Sequence, residues 1–280
     1  SICLIMAPVQ QDLPKEENIY ESQKSLHEYL MMHFGTKSDL IDPAFEAYAP
    51  LSALEFPTRC AEQCVAQVTA EGNAGLGGPK CRALDVGCAV GRSTFEMARY
   101  FEDVVGIDFS QSFIDAANDL KEKGTMQYQI FTEGDLTKPA VATVDPSLDR
   151  TRTTFKQADA CSLKAEELGG RFGVIMAANL LCRLPKPRAF LNSLPDLLVP
   201  GGLLVMPSPY TWLEAYTPKS EWIGGYVDST GKAVTSFEGI KAILGDRFEF
   251  VKEEDMPFFI RETRRKNQWS VSHCTVWRLK

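Results

Sequence analysis

The chain has 280 residues, of which 44% are hydrophobic, enough to bury one large core or one core with a small cap. Acidic residues outnumber basic ones by 37 to 30, so the formal net charge is -7 and the pI is near 5.2. Because phosphate binding needs a basic face, this balance argues against a nucleic-acid partner and favours a small-molecule substrate.

Cysteine and histidine usage argues against two further classes of protein. The eight cysteines include no C-x-x-C pair, and the chain has three histidines. This composition favours neither a disulfide framework nor a zinc site, so we expect no metal. Cys60 and Cys64 lie one helical turn apart and could form a metal pair, but thiols so spaced are more often small buried residues.

Targeting and membrane signals are also weak in this sequence. No apolar run approaches the ~18 residues that a membrane span requires. The first six residues lack the basic flank and the length of a signal peptide. We therefore expect a cytoplasmic protein that does not act at a membrane.

The N-terminal residues 1–75 differ in character from the rest of the chain. Residues 20–34 carry leucine and aromatic residues at helical spacing, and residues 62–70 predict a second helix. The glycine-rich residues 72–79 then form a flexible joint. We expect residues 1–75 to be a helical cap over a core domain at 76–280, the alternative being that they only cover one face of its sheet.

The middle of the chain predicts alternating strands and helices. Short apolar runs indicate buried parallel strands, and the segments between them have the periodicity of helices. The predicted strands cover residues 83–86, 104–107, 154–158, 172–178 and 200–205, and the predicted helices cover residues 92–100, 111–121 and 188–198. This alternation is typical of an α/β fold with a parallel sheet.

Two regions depart from a minimal α/β unit. Residues 124–153 have the character of an insertion after the second helix of the core, and residues 126–131 within it alternate as a strand does. Near the C-terminus, residues 248–251 and 270–279 predict an antiparallel pair that closes the sheet. The basic run between them is typical of a solvated loop, but Arg261, beside an apolar triplet, is expected to point inward.

A glycine-rich turn follows the first predicted strand of the core. Gly87 and Gly91 let the backbone turn sharply and approach a ligand closely, and the amides of the next helix point at that ligand. Asp108 lies 23 positions after Asp85, about where a Rossmann-like unit has the carboxylate that binds ribose hydroxyls. A dinucleotide site calls for G-x-G-x-x-G, whereas this turn has Ala89 midway between its two glycines.

This turn resembles the first motif of class I S-adenosylmethionine-dependent methyltransferases, E/D-x-G-x-G-x-G with alanine at the middle glycine. The resemblance implies an α/β, Rossmann-like, seven-stranded sheet, with S-adenosylmethionine as cofactor and S-adenosylhomocysteine as product. It implies that Asp85 and the turn hold the methionine part and that Asp108 holds the ribose. The expected cofactor-binding residues are Asp85, Gly87, Cys88, Ala89, Gly91, Asp108, Phe109, Ser110, Asp159, Ala160, Cys161 and Asn179.

Two of these positions follow later predicted strands. In the methyltransferase pattern an acidic residue such as Asp159 meets the adenine amino group, and the next backbone amide meets a ring nitrogen. The alternative for Asp159 is an exposed aspartate that caps a helix. Asn179 directly follows the most apolar predicted strand, and ligands bind at such strand ends in open α/β sheets.

A longer combination of motifs resembles the methyltransferase domain of ovothiol biosynthesis, the mercaptohistidine N-methyltransferase that often follows a sulfoxide synthase in one polypeptide. The resemblance spans roughly residues 20–280 and is carried by YESQKSLHEYLMMHFG, FPTRC, DVGCAVGRSTFE, AANLLCRL, SPYTWLE and FFIRETRRKNQ. It implies methylation of an imidazole ring nitrogen of 5-thiohistidine to give ovothiol A. No iron-binding histidine cluster precedes the domain here, so we expect a separate sulfoxide synthase to make the carbon–sulfur bond.

This chemistry sets requirements for the substrate site. Methyl transfer from a sulfonium is an in-line displacement, so catalysis depends mostly on holding the nitrogen on the sulfur–methyl axis in a dry site. The substrate thiolate is the better nucleophile, so an arginine is expected to restrain it or the α-carboxylate. The catalytic candidates are Asn179, Arg183, Tyr210 and Glu214, and the substrate-binding candidates are Phe56, Arg59, Arg183, Tyr210, Trp212 and Arg261.

The roles of these candidates differ. Asn179 and Tyr210 are expected to orient the ring, while Glu214 is expected to take the departing proton or bind the α-amino group. For each candidate, a surface salt bridge or core packing is the alternative.

Two other classes of function remain open. A methyltransferase acting on a carboxylate or phenol of another small molecule would keep every cofactor motif and change only the substrate residues. A non-catalytic member of the fold would bind cofactor or a partner protein. The intact acidic residues and glycines of the first motif disfavour this second class.

Overall fold

A computed structural model describes residues 19–70 and 72–280. The first 18 residues of the expected cap, including the stretch considered as a signal peptide, and residue 71 lie outside the described residues. The helices are α1 (Gln23–Phe34), α2 (Lys37–Leu40), α3 (Phe56–Thr69), α4 (Arg92–Met97), α5 (Gln111–Lys123), α6 (Pro187–Leu197) and α7 (Ser236–Leu244). The strands are β1 (Ala83–Val86), β2 (Val104–Asp108), β3 (Thr125–Glu133), β4 (Leu136–Thr143), β5 (Thr153–Gln157), β6 (Phe172–Met176), β7 (Leu198–Ser208), β8 (Tyr226–Val227), β9 (Ala233–Val234), β10 (Phe248–Arg261) and β11 (Asn267–Leu279).

Seven strands form the central sheet, in the order β10-β11-β7-β6-β1-β2-β5. The five strands from β7 to β5 are parallel, whereas β11 pairs antiparallel with both β7 and β10. The strand order reverses between β1 and β6, and ligands bind outside the carboxyl ends of strands at such a switch point. The predicted α/β Rossmann-like sheet and its closing antiparallel pair are therefore confirmed.

Both faces of the sheet are buried, which explains the continuous apolar runs of its central strands. Adjacent residues of β6 alternate between the two layers: Ile175 packs on the side of α6 and α7, and Val174 packs on the side of α3 and α4. Cys60 and Cys64 of α3 are both 0% exposed within the second layer. The expectation that these two thiols serve as small core residues is confirmed.

Several elements have different limits from those predicted. Helix α3 begins at Phe56, six residues before the predicted start at 62, so the FPTRC motif is helical. The cause is Pro57 in the first turn, where its fixed φ favours a helix and its missing N–H is not needed. Strand β10 extends to Arg261, so part of the predicted basic loop is strand.

Additions to the core pack together near the carboxyl ends of the parallel strands. We call them the cover: residues 19–54, the β3–β4 hairpin and residues 256–272. Backbone and ion-pair contacts join its three parts. Arg264 N donates to Thr132 O (3.0 Å), and the Lys138 ammonium lies 3.0 Å from the Asp39 carboxylate.

The cover also contacts the core directly. The Glu21 carboxylate accepts hydrogen bonds from the backbone N–H groups of Gln111 (3.0 Å) and Ser112 (3.1 Å), at the start of α5. Ser110 Oγ donates to Tyr20 O (3.1 Å). An acidic side chain on free helix N–H groups is favourable in charge and in hydrogen bonding, so this end of the cover is held beside the end of β2. Within the described part of the chain, no helix has the length and apolar character needed to cross a membrane.

Candidate active site

The carboxyl ends of β6, β1 and β2 are neighbours in the sheet. Three elements predicted to form the site are therefore brought together: Asn179 after β6, the glycine turn after β1, and Asp108 at the end of β2. Tyr210 follows β7, the next strand beyond β6. Cofactor and substrate candidates thus lie side by side along one edge of the sheet.

The glycine turn requires its glycines. Gly87 (φ +77°) and Gly91 (φ +88°) both have left-handed backbone conformations. A Cβ at Gly91 would lie 2.8 Å from the Phe155 ring, and one at Gly87 would lie 3.0 Å from Leu180 Cδ1. Ala89 between them has φ +47°, a conformation that costs a non-glycine residue roughly 1 kcal/mol or more. Its backbone N–H donates to the Asp108 carboxylate (2.9 Å), which ties the turn to β2.

Asp85 is buried beneath this turn, with only 1% of its surface exposed. One carboxylate oxygen, Oδ2, accepts hydrogen bonds from Ser93 Oγ (2.6 Å) and Thr94 Oγ1 (2.7 Å) in α4. Burial raises the pKa of Asp85 to about 6, and the two hydroxyls oppose that rise. Asp85 therefore fixes the start of α4 against the turn. That it also holds the methionine part of the cofactor stays a prediction.

Asp108, the expected ribose ligand, has both carboxylate oxygens engaged by backbone amides, and its contact with a ribose stays a prediction. One carboxylate oxygen accepts the Ala89 N–H and the other accepts the Ser110 N–H (both 2.9 Å). Burial raises its pKa, and these amide bonds lower it. A carboxylate has about four lone-pair sites, so acceptor capacity remains for two ribose hydroxyls. Beside it, the Phe109 side chain is 62% exposed.

Asp159 caps a short turn of 3-10 helix after β5. Its Oδ1 accepts the Cys161 N–H (2.8 Å), as in the capping alternative. The second carboxylate oxygen keeps its lone pairs for an amino group. Contact with an adenine stays a prediction.

Asn179 and Tyr210 are both strained and both tied to β11. Asn179 has φ +54° and Tyr210 has φ +53°, in the region that non-glycine residues seldom adopt. Asn179 Oδ1 accepts a hydrogen bond from Ser272 Oγ (2.6 Å). The Tyr210 hydroxyl lies 3.0 Å from His273 Nδ1, and burial raises the pKa of Tyr210. The strain therefore lies at the positions predicted to orient the substrate.

Arg183 follows Asn179 by four residues and is held by the segment after β7. Its guanidinium donates to Thr211 O (2.8 Å) and to Thr211 Oγ1 (3.2 Å), and it lies 4.9 Å from the centre of the Tyr216 ring. Tyr216 in turn stacks on Tyr20 of the cover (6.3 Å between centroids). Arg183 is therefore a cation fixed between the core and the cover.

Three tyrosines near Arg183 are not among the site residues predicted from the sequence: Tyr20, Tyr29 and Tyr216. Tyr20 packs edge-on against Tyr29 at 6.0 Å. Burial raises the pKa of Tyr29 to about 12, with the Asp108 carboxylate raising it further and Arg183 lowering it. The Tyr29 hydroxyl therefore interacts electrostatically with both the Asp108 carboxylate and the Arg183 guanidinium. The motif YESQKSLHEYL contains both tyrosines, but nothing in the sequence brings Tyr216 to them.

Two of the arginine candidates bind the cover. Arg59 donates to Leu54 O (3.0 Å) and to Pro257 O. Arg261 is 3% exposed and donates to Asp39 O (2.6 Å) and Thr263 O (3.1 Å). The prediction that Arg261 points inward is confirmed, but its donors and those of Arg59 are directed to backbone carbonyls of the cover and its neighbours.

The remaining candidates also have other surroundings. Trp212 is placed in the core, not at the predicted edge: it is 8% exposed, and its one N–H donates to Ser236 Oγ (2.8 Å). Phe56 is 5% exposed and packs on Phe258. Glu214 lies exposed in the loop after β7. Among the described residues, no group of three or more possible metal ligands occurs.

Comparisons with known proteins agree with this geometry. Residues 84–206 match the model of the family described as methyltransferase domain. Magnesium-protoporphyrin O-methyltransferase of Rhodobacter capsulatus is 33% identical over 91 residues, which are 32% of this chain and 41% of that protein. The match thus spans less than half the length of that relative.

Solved structures of methyltransferases are similar in outline. The N-methyltransferase NodS of Bradyrhizobium japonicum, in complex with S-adenosylhomocysteine, has a TM-score of 0.48 and 15% identity, covering 91% of this chain and 98% of that one. Magnesium protoporphyrin IX methyltransferase of Synechocystis, with bound S-adenosylhomocysteine, has a TM-score of 0.45 and 18% identity, covering 80% and 85%.

The segment that matches the methyltransferase domain is also the one that carries most of the candidate cofactor residues. Residues 84–206 contain the glycine turn, Asp108 and Asn179. The positive φ angles of Gly87 and Gly91 and the spare lone pairs of Asp108 fit a cofactor that carries ribose hydroxyls.

Proposed function

We propose that this protein transfers a methyl group from S-adenosylmethionine to an imidazole ring nitrogen of 5-thiohistidine, giving ovothiol A. The observation that carries the proposal is the position of Arg183. Of the three candidate arginines, it alone follows Asn179 and contacts the segment after β7, whereas the other two bind backbone carbonyls of the cover. A cation is needed there because the thiolate or α-carboxylate must be held off the methyl axis.

The chain's own residues have to position the acceptor. S-adenosylmethionine supplies a methyl group on a positively charged sulfur. Arg183 pairs with an anionic group of the substrate, and Asn179 and Tyr210 bind its ring so that one nitrogen faces the methyl group. The cover excludes water, which strengthens each of these contacts.

The substrate enters this scheme already carrying its sulfur. We propose that a sulfoxide synthase supplies 5-thiohistidine, so that the partner of this protein is a small molecule. The excess of acidic residues fits this better than a nucleic-acid partner.

A second candidate is O-methylation of a carboxylate in another small molecule. The similarity to magnesium-protoporphyrin O-methyltransferase favours it. It uses the same cofactor residues and differs in the group that is methylated.

The experiment that tests the proposal is incubation with S-adenosylmethionine and a panel of acceptors. The panel contains 5-thiohistidine, histidine, an S-methylated 5-thiohistidine and a porphyrin carboxylate. Mass spectrometry detects the methylated product, and NMR locates the methyl group. We expect N-methyl 5-thiohistidine. Exclusive S-methylation, or turnover of the porphyrin alone, would refute the assignment.

A further inference from the structure

Two strained residues of the substrate edge are held by two consecutive residues of β11. Asn179 and Tyr210, at φ +54° and +53°, follow adjacent parallel strands. Ser272 contacts the first and His273 contacts the second. Successive residues of a strand point to opposite faces of the sheet. Two neighbouring residues of β11 therefore contact the two strained residues from opposite faces. Neither Ser272 nor His273 belongs to the candidates read from the sequence.

The contact with Ser272 orients the amide of Asn179. Ser272 is 0% exposed, and its hydroxyl donates to Asn179 Oδ1 at 2.6 Å. The backbone N–H of Asn179 is itself engaged with Pro207 O (2.8 Å), so both ends of the residue are fixed. With Oδ1 occupied, the Nδ2 group is left with two N–H donors for a ligand. Asn179 is thereby presented as a hydrogen-bond donor.

The contact with His273 orients the hydroxyl of Tyr210. His273 Nε2 lies 3.1 Å from Glu253 Oε2, a half-exposed carboxylate that can only accept. Nε2 therefore carries the proton of the neutral ring, and Nδ1 is an acceptor for the Tyr210 O–H at 3.0 Å. The tyrosine oxygen is left with lone pairs. Tyr210 is thereby presented as a hydrogen-bond acceptor.

We propose that Ser272 and His273 are positioning residues that select which nitrogen of the acceptor ring is methylated. This inference rests on the proposed function. Tyr210 accepts the N–H of one ring nitrogen, so the other nitrogen carries the lone pair, and Asn179 donates to the substrate on the opposite side. That lone pair forms the new N–CH₃ bond, and the electrons of the broken S–CH₃ bond stay on the cofactor sulfur. The ring N–H proton is the one released to solvent.

Kinetics of paired variants test this role. Ser272→Ala and His273→Leu remove the two supports, while Ser272→Thr keeps the hydroxyl and His273→Asn keeps an acceptor near the position of Nδ1. We expect the first pair to lower kcat on the order of 10- to 100-fold, with the Kd for S-adenosylhomocysteine unchanged. We also expect Ser272→Ala and His273→Leu to give product methylated on sulfur or on the other ring nitrogen. Ser272→Thr and His273→Asn should restore kcat and the product ratio. Ser270→Ala, two positions away on the same face of β11, is the matched control.

A second measurement needs no variant. Nitrogen-15 NMR of wild-type protein reports the tautomer of His273, and we expect the proton on Nε2. A proton on Nδ1, or Ser272→Ala with full kcat and unchanged product, would overturn the inference and leave the proposed function standing. Wild-type protein that makes no N-methyl product from 5-thiohistidine would overturn the proposed function instead.

Discussion

The two halves of the site are built in different ways. In the cofactor half, around β1 and β2, hydrogen bonds join residues 2 to 19 positions apart, such as Ser110 with Asp108 and Ala89 with Asp108. In the substrate half, around β6, β7 and β11, they join residues 28 to 93 positions apart. A contiguous segment thus carries the cofactor half, whereas the substrate half depends on the order of the strands. Changes in distant residues are therefore expected to affect the substrate half more than the cofactor half.

The largest effect is expected from Arg183→Ala in the substrate half. Losing the cation that restrains the thiolate or carboxylate should lower kcat/KM for 5-thiohistidine by on the order of 10³-fold, while the Kd for S-adenosylhomocysteine changes little. Some S-methyl product should appear, visible by NMR. Arg265→Ala, in the exposed basic run, is the control and should be close to wild type. A wild-type rate in Arg183→Ala would remove the role given to that arginine.

The cofactor half should respond in the opposite way to Asp108→Ala. The change removes the acceptor for ribose hydroxyls and also for the Ala89 and Ser110 N–H groups. Binding of S-adenosylhomocysteine should weaken by roughly 2–4 kcal/mol, as measured by calorimetry. Asp108→Asn, which keeps one acceptor oxygen, should lose less. An unchanged Kd in the folded alanine variant would show that Asp108 does not bind the cofactor.

A third prediction concerns the pH dependence of stability through Asp85. Its folded pKa of about 6 lies above the value near 4 of an exposed aspartate, so the folded state binds more protons between these two values. The stability contributed by Asp85 is therefore full below pH ~4 and is lost as pH rises through ~6, by about 2–3 kcal/mol. Asp85→Asn does not titrate, so the difference in Tm between wild type and variant should change over this window. A constant difference from pH 4 to 7 would contradict the shift.

The smallest effect is expected where the cover meets the cofactor half. Glu21→Gln keeps an acceptor for the Gln111 and Ser112 N–H groups but removes the charge at the start of α5. The free energy of unfolding should fall by about 0.3–1 kcal/mol, less at high salt. Lys24→Gln, a change at an exposed residue of the same segment, is the control. Equal effects of the two changes would show that the contact with α5 has no energetic role.

Features carried by contiguous residues were predictable. The apolar runs predicted the five parallel strands and the closing antiparallel pair, and the glycine spacing located the cofactor turn. Ser110, a residue type that favours helix N-caps, directly precedes α5, and its Oγ accepts the Phe113 N–H. These features follow from local periodicity and backbone conformation, which a short stretch of sequence contains by itself.

Tertiary structure alone decided the rest of the site. The burial of Trp212, the engagement of Arg59 and Arg261 by backbone carbonyls, and the meeting of Tyr216 with Tyr20 depend on the packing of the cover. The pairing of β11 with β7 brought Ser272 and His273 to the substrate edge. Periodicity shows which face of a strand is buried, but it does not show which strand lies beside it, because strand order is set by packing between elements distant in sequence.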